Sequence, residues 1–453
     1  MMSGKLKKIS LNLIHTTPFV LSNTVILVPY LLFIGLSDGE SWLKILPFVL
    51  FYTFRMTGIF LIRGLNVGLD SFRLLMVSFF LGGAGSLFGI LGSAYFPLYI
   101  LSGILMGLSA AWLQPANLTV NFHEKQQGFV NMKQANYLFA LVLLVLLFWG
   151  MSFPREVQIN VMFSLYACFY VMAVVTVKGY PDYPIKNDQD NTHLISRKEL
   201  IVFSIFFVLL LLLRSGRLLF SLNDLDIAIV GFSVIFIISI ILLGGAHKKW
   251  RLPIWLNLLT FINGMIGNFL FLFGSLYVGA VYGFSQVATH LYMPYALGVI
   301  LAMFGTQKVT GLFPKQQELP VLMGGLSIGF MLLMIPEMAV VAWLVISFFR
   351  SGTSSWLNNY YYKKVNVPVD QRLLVKFTTQ NKGSLTHQFL LMTLMLLLAK
   401  IMGESGNVLL ELTGEKMVTP IQLVILDVTK WLSAGLMLLA LGCVYLLWRG
   451  RKK

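Results

Sequence analysis

An all-α polytopic membrane protein with about fourteen transmembrane helices is the fold class that three observations predict. Of the 453 residues, 57% are hydrophobic and 11% charged, with a mean hydropathy of +0.79, a balance soluble globular domains do not reach. The apolar residues come in runs of roughly 20, the length a helix needs to cross the hydrocarbon core. None of the runs alternates polar and apolar residues as a lipid-facing strand would. Lipid offers no partners to backbone N–H and C=O groups, so each run must satisfy them internally, as a helix does.

In chain order the predicted spans are 11–36, 45–64, 73–93, 96–119, 134–153, 157–177, 199–220, 226–246, 253–277, 284–305, 319–335, 338–361, 386–403 and 421–448. The first is too long for a signal-peptide core and no small-residue cleavage site follows it, so it is expected to stay as a spanning helix. The two cysteines, Cys168 and Cys443, lie inside apolar runs and form no disulfide or zinc framework. With the N-terminus inside, cytoplasmic segments collect 25 of the 34 Lys and Arg, external segments 5 (Lys44, Arg155, Arg214, Arg217, Lys416), and the spans 4 (Arg55, Arg350, Lys400, Lys430). This positive-inside bias predicts cytoplasmic termini and a multi-pass protein of the cell (plasma) membrane. The net charge of +16 thus belongs to the cytoplasmic face and its anionic lipid headgroups. No domain is present to host nucleic acid. The longest loops, 178–198 and 362–385, are too short for a soluble domain and are expected on the cytoplasmic side.

Three echoes suggest an internal duplication. Ser109-Ala-Ala-Trp-Leu-Gln114 ends span four and Thr353-Ser-Ser-Trp-Leu-Asn358 ends span twelve, 244 residues apart. Ser22-Asn23-Thr24 in span one answers Gly267-Asn268-Phe269 in span nine, and Leu81-Gly82-Gly83 in span three answers Met323-Gly324-Gly325 in span eleven, at shifts of 245 and 242. A constant shift of eight helices leaves a plan of six, two and six, and internal repeats recur in secondary transporters. The expected domains are 1–178, a six-helix bundle; 179–250, a linker with two extra helices; and 251–453, a second six-helix bundle.

This plan resembles the fourteen-helix, drug:proton antiporter-like branch of the major facilitator superfamily. Leu101 to Ala116, with Gly107 and Pro115, is similar to that family's fourth helix, and Tyr282 to Gln286 followed by Tyr292 to Gly298 to its entry into the second helix of the C-terminal half. The resemblance covers almost the whole chain and implies transport rather than enzymatic catalysis. Three features depart from the pattern. Arg63 to Leu75 keeps Gly64, Asp70 and Arg73 but not their spacing, Gly103 stands near the place of the fourth-helix arginine, and the fifth helix lacks a Gly-Pro run.

Charges inside a membrane are costly and face the bundle interior, which makes them functional candidates. Arg55, near the middle of span two, reads as a substrate or coupling contact, a helix–helix pair, or a residue at a shifted boundary. Arg350 is interior if span twelve runs on to Tyr361 and a cytoplasmic anchor if it stops at Phe349. Asp427 is the acid within a span, a candidate proton carrier, yet Lys430 lies one turn away and neutralises it in the simpler reading. His290 could titrate near neutrality or pack as a satisfied polar residue, and is a candidate for substrate binding and proton coupling. Asn23, Gln114, Asn263, Asn268, Gln286 and Asn358 are amides that line the cavity if the resemblance holds, or hydrogen-bond a neighbouring helix. Gly82, Gly85, Gly89, Gly103, Gly107, Gly325 and Gly329 read as close-approach points.

Four basic residues against one acid within the spans favour an anionic or lipid-like substrate. The expected function is secondary active transport of a small amphipathic or anionic solute by alternating access, with export or flipping as the direction the resemblance implies. The partners are then membrane lipid, the solute and a proton gradient, since no P-loop for ATP is present. No cofactor, metal cluster or nucleophile–base pair stands out. The rival reading is a non-transporting membrane scaffold or assembly partner that keeps the fold.

Overall fold

The computed structural model describes residues 2–36, 41–65, 70–130, 136–181, 197–219, 222–244, 252–283, 286–404 and 418–450. Among these every regular element is helical, and each predicted span falls on a helix. Among the described residues nine helices are long and apolar enough to cross a membrane, or ten if the bent first pair is one span. Leu138–Met151 and Ala228–Ser239 are shorter apolar helices.

Local sequence explains the irregular spans. Span one is Met2–Thr24 followed by Val28–Leu36, with a bend of 56°. Pro29 sits in the first turn of the second piece, where its ring is tolerated, and disfavours helical geometry at the residue before it, so the break falls just upstream. Span nine, Ile254–Asn268 and Gly274–Tyr282, is joined by a π-helical turn at Phe269–Phe273. Span ten begins with a second π turn, Ala288–Tyr292, before Met293–Gly311.

The chain divides into two compact units. One comprises Met1–Leu219 with Pro368–Leu374; the other comprises Phe220–Val367 with Val375–Lys453. Within the first unit, span one packs on spans four, five and six, and span four on two and three, with three also meeting six. In the second unit span nine meets twelve and fourteen, span twelve meets ten and eleven, and eleven meets fourteen. Span nine also crosses thirteen, where an added Cβ on Gly264 or Gly383 would collide with the carbonyl oxygens of Gln380 and Phe261. The same six pairings therefore occur in both units, which is the packing signature of two six-helix repeats. Of the two intervening helices, Arg197–Leu219 packs on span two through Phe60–Phe206 and Phe54–Phe207. Leu222–Gly244 packs in the second unit through Phe236–Phe389 and Ser233–Thr393.

The glycines serve these crossings. A Cβ on Gly82 would strike Tyr170, one on Gly89 Phe163, and one on Gly103 or Gly107 the backbone of Pro47 or Phe51. Gly85 sits against Met106, Gly325 against Phe349 and Gly329 against Ile346, so third-helix glycines admit the fourth helix in both units. The duplicated Trp-Leu phrase makes unlike contacts. Trp112 Nε1 donates to the Gly58 carbonyl at 2.7 Å, whereas Trp356 stacks on Tyr360 at 5.0 Å and leans on Trp255.

One expectation is corrected. The predicted loop 362–385 is mostly helix, because span thirteen is a single helix over Val369–Ile401. Its polar stretch places Leu373, Lys376, Gln380, Gly383 and His387 at alternating spacings of three and four, which keeps them on one face. The inward face is carried by Lys, Gln, Gly and His instead of apolar residues, so hydropathy hid it. The other long loop, 178–198, lies largely outside the described residues.

Orientation can be tested on exposed turns. In a cysteine-free background, a cysteine at Ala94 should react with an impermeant thiol reagent on intact cells. One at Gln127 should react only after permeabilisation. The reverse pattern would invert the orientation.

Candidate functional site

In the second unit, spans nine, twelve and thirteen bring together charged and amide side chains. Span twelve runs unbroken as Ala339–Lys364, so Arg350 is mid-helix. Its Nε donates to the Asn263 carbonyl at 3.4 Å and an Nη to the Tyr295 hydroxyl at 3.3 Å. Gly267 makes room for the guanidinium, since a Cβ there would overlap it.

Lys376 is fully buried and donates to Ser354 Oγ at 3.0 Å. Ser354 lies one helical turn from Arg350 on span twelve. Among the described residues no carboxylate pairs with either cation. Buried charges are normally paired, because removing an ion from water costs several kcal/mol. Two neighbouring cations of one sign form a positive centre in want of an anion.

Unsatisfied amides lie on the same two helices, nine and thirteen, that meet these cations. Asn263 is 1% exposed, and neither its side-chain nitrogen nor its oxygen has a hydrogen-bond partner. Gln380 Oε1 is also unpartnered. One turn along, Asn268 Nδ2 lies 3.3 Å from His387 Nδ1, while His387 Nε2 has no partner and its ring stands edge-on to Phe269. Such groups inside a helix bundle are expected where a ligand or water completes their bonding.

The other sequence candidates lie elsewhere in this unit. Gln286 is exposed and its Oε1 accepts from Thr289 at 2.9 Å. His290 stacks on Tyr282 at 4.9 Å and bonds Thr289 through Nδ1, with no recorded contact to Arg350. Asp427 accepts from Lys430 Nζ at 2.7 Å and from the Tyr277 hydroxyl at 3.2 Å, and Lys430 also donates to Tyr277 at 2.8 Å. This triad compensates its own charge. Asn358 Oδ1 is buried without a partner.

The first unit holds a separate basic and aromatic cluster. Arg214 lies over the Tyr52 ring at 4.1 Å and the Phe48 ring at 5.9 Å, and hydrogen-bonds Tyr52. Tyr30 feels the charges of both Arg214 and Arg55. Arg214, counted with the external segments yet within the predicted span 199–220, lies on Arg197–Leu219 and is held by cation–π contact. Asn23 is exposed and folds back to the Phe19 carbonyl at 2.8 Å. Gln114 is half-buried on span four.

At one end of this unit Asp70 caps Ser71–Leu91 by accepting from Arg73 N at 2.6 Å. Asp370 accepts from Ser71 Oγ at 2.6 Å and lies 3.5 Å from His123 Nε2.

No family model and no curated protein matches the sequence. Solved structures do. An auto-inhibited POT family peptide transporter aligns over 98% of this chain and 97% of its own at 12% identity, with a TM-score of 0.51. The peptide transporter POT in complex with sulfate aligns over 97% and 93% at 13% identity, with a TM-score of 0.53. The chain shares the fold of these peptide transporters. At such identities the likeness is one of fold, and the functional argument rests on this chain's own residues.

Sequence reasoning named Arg350, Asn263 and Asn268 within the second-unit cluster but missed Lys376, Gln380 and His387. The three-and-four spacing of Lys376, Gln380, Gly383 and His387 was the signal available. The Asp427 and Arg55 candidates should separate on mutation. Asp427→Asn should cost transport less than Arg55→Gln, which should lower it about tenfold, the effect of losing one charge-assisted contact of about 1.5–3 kcal/mol. Initial rates in proteoliposomes, normalised to protein, check this. A larger loss for Asp427→Asn would place proton coupling in span fourteen.

Proposed function

We propose that this protein is a secondary transporter that moves an anionic or amphipathic solute by alternating access, as an exporter or flippase. The observation that carries the reading is fully buried Lys376, bonded to Ser354 one turn beyond half-buried Arg350 on span twelve, with no described carboxylate paired to either cation. Inside a bundle that charge is destabilising until an anion enters, and a group whose cost is recovered only on ligand binding belongs to a binding site. A scaffold relieved of transport would gain stability by losing one of the two cations.

Purified protein in liposomes tests the reading. Entrapped anionic solutes should support counterflow of the labelled solute, with uncharged isosteres carried at least tenfold more slowly. Equal movement of cationic and anionic solutes, or no movement across a broad panel, would sink it.

A further inference from the structure

We infer that the second-unit site takes a dianionic phosphate-monoester headgroup, and that Lys376 is the residue that selects it over a monocarboxylate. The inference rests on the reading of this site as the transported anion's. Its first support is charge. Half-buried Arg350 and fully buried Lys376, which bonds Ser354 one turn along span twelve from Arg350, are two basic groups with no described carboxylate paired to either, so a carboxylate would neutralise one and leave the other uncompensated, whereas a phosphate monoester carries a charge near −2 at neutral pH.

The second support is the unused donors. Arg350 commits Nε to the Asn263 carbonyl and one Nη to Tyr295, which leaves its other Nη, beside Gly267, free for an oxyanion. Lys376 uses one of its three N–H bonds on Ser354. A phosphoryl group offers three acceptor oxygens to such a set, and guanidinium–phosphate bonds are among the stronger charge-assisted pairs. The third support is the pair of idle amides. Asn263 has both a donor and an acceptor unpartnered, and Gln380 an acceptor. They suit a hydroxyl-bearing alcohol portion next to the phosphate, as in a glycerol or sugar phosphate, and a purely apolar tail would leave them unsatisfied.

The source of the headgroup, soluble metabolite or lipid, is separable by choice of probe. Binding to the purified full-length protein in detergent is measured by calorimetry with glycerol, glycerate, glycerol 3-phosphate and dioctanoyl phosphatidic acid. Glycerol 3-phosphate or the phosphatidic acid should bind at least tenfold tighter than glycerate, and glycerol should not bind. Preference for the first assigns a soluble phosphate and preference for the second a lipid, and either upholds the headgroup.

In Lys376→Met the phosphate-to-carboxylate ratio should fall towards unity while glycerate binding persists, a change that general misfolding does not produce. If Lys376→Met does not fold, Lys376→Gln serves the same purpose. Lys376→Arg should restore the ratio. Equal binding of glycerate and the phosphate probes by the wild type, a ratio unchanged in the Lys376 variants, or no binding of either phosphate probe overturns the inference. The transporter reading survives those results as long as other anions drive counterflow, and fails separately if none do.

Discussion

Arg350→Gln is expected to lower anion transport by tenfold or more while leaving the protein folded and no less stable to heat than the wild type. The substitution keeps polarity and approximate length, so the contact to Tyr295, at 3.3 Å, has a neutral replacement, and Gly267 still leaves room. What is lost is the charge. One charge-assisted contact of about 1.5–3 kcal/mol corresponds to a tenfold effect or more. Stability should move the other way, because the wild type holds two like charges together and removing one relieves their repulsion. Counterflow rates and thermal melting, measured on the same preparation, decide it. A variant that melts well below the wild type would mean that Arg350 is a structural tie, and one that transports normally would remove it from the site.

The largest expected loss of stability comes from Gly264→Leu. At this residue span nine meets span thirteen backbone to backbone: a Cβ would run into the Gln380 carbonyl, Gly383 faces the Phe261 carbonyl in the same way, and Ser384 Oγ donates to the Gly264 carbonyl at 2.9 Å. Overpacking a filled interior costs about 1–3 kcal/mol where side chains can yield, and a carbonyl on a helix axis yields less than a side chain. The helices must separate, which also draws Gln380 and Lys376 away from Arg350. Gly264→Leu should therefore purify poorly or melt far below the wild type, whereas Gly435→Leu, with open space around its Cα, should behave normally. Size-exclusion profiles and melting curves report the difference. Matching curves for the two variants would show that the crossing is loose.

Much of the fold was legible in the sequence because lipid imposes a simple rule. Runs of apolar residues long enough to span had to be helices, and the echoes at Asn23 and Asn268 and at Trp112 and Trp356 marked a repeat that the helix pairings of the two units display. Arg350 could be singled out because a cation amid apolar residues is conspicuous. Asp427 and Lys430 could be paired on spacing alone, and they are 2.7 Å apart.

The rest needed the tertiary structure. Lys376 and Gln380 sit in a stretch whose composition reads as a cytoplasmic loop, because hydropathy averages over a window and ignores which face a residue occupies. Only packing shows that Lys376 is wholly buried and that Arg214 lies on the Tyr52 ring. The sequence by itself determined the helical membrane fold, since this depends on local runs and their order. Which amides share a site with Arg350 and Lys376 depends on helices more than a hundred residues apart in the chain, spans nine and thirteen, brought together at Gly264 and Gly383 where the absence of a side chain lets the backbones touch.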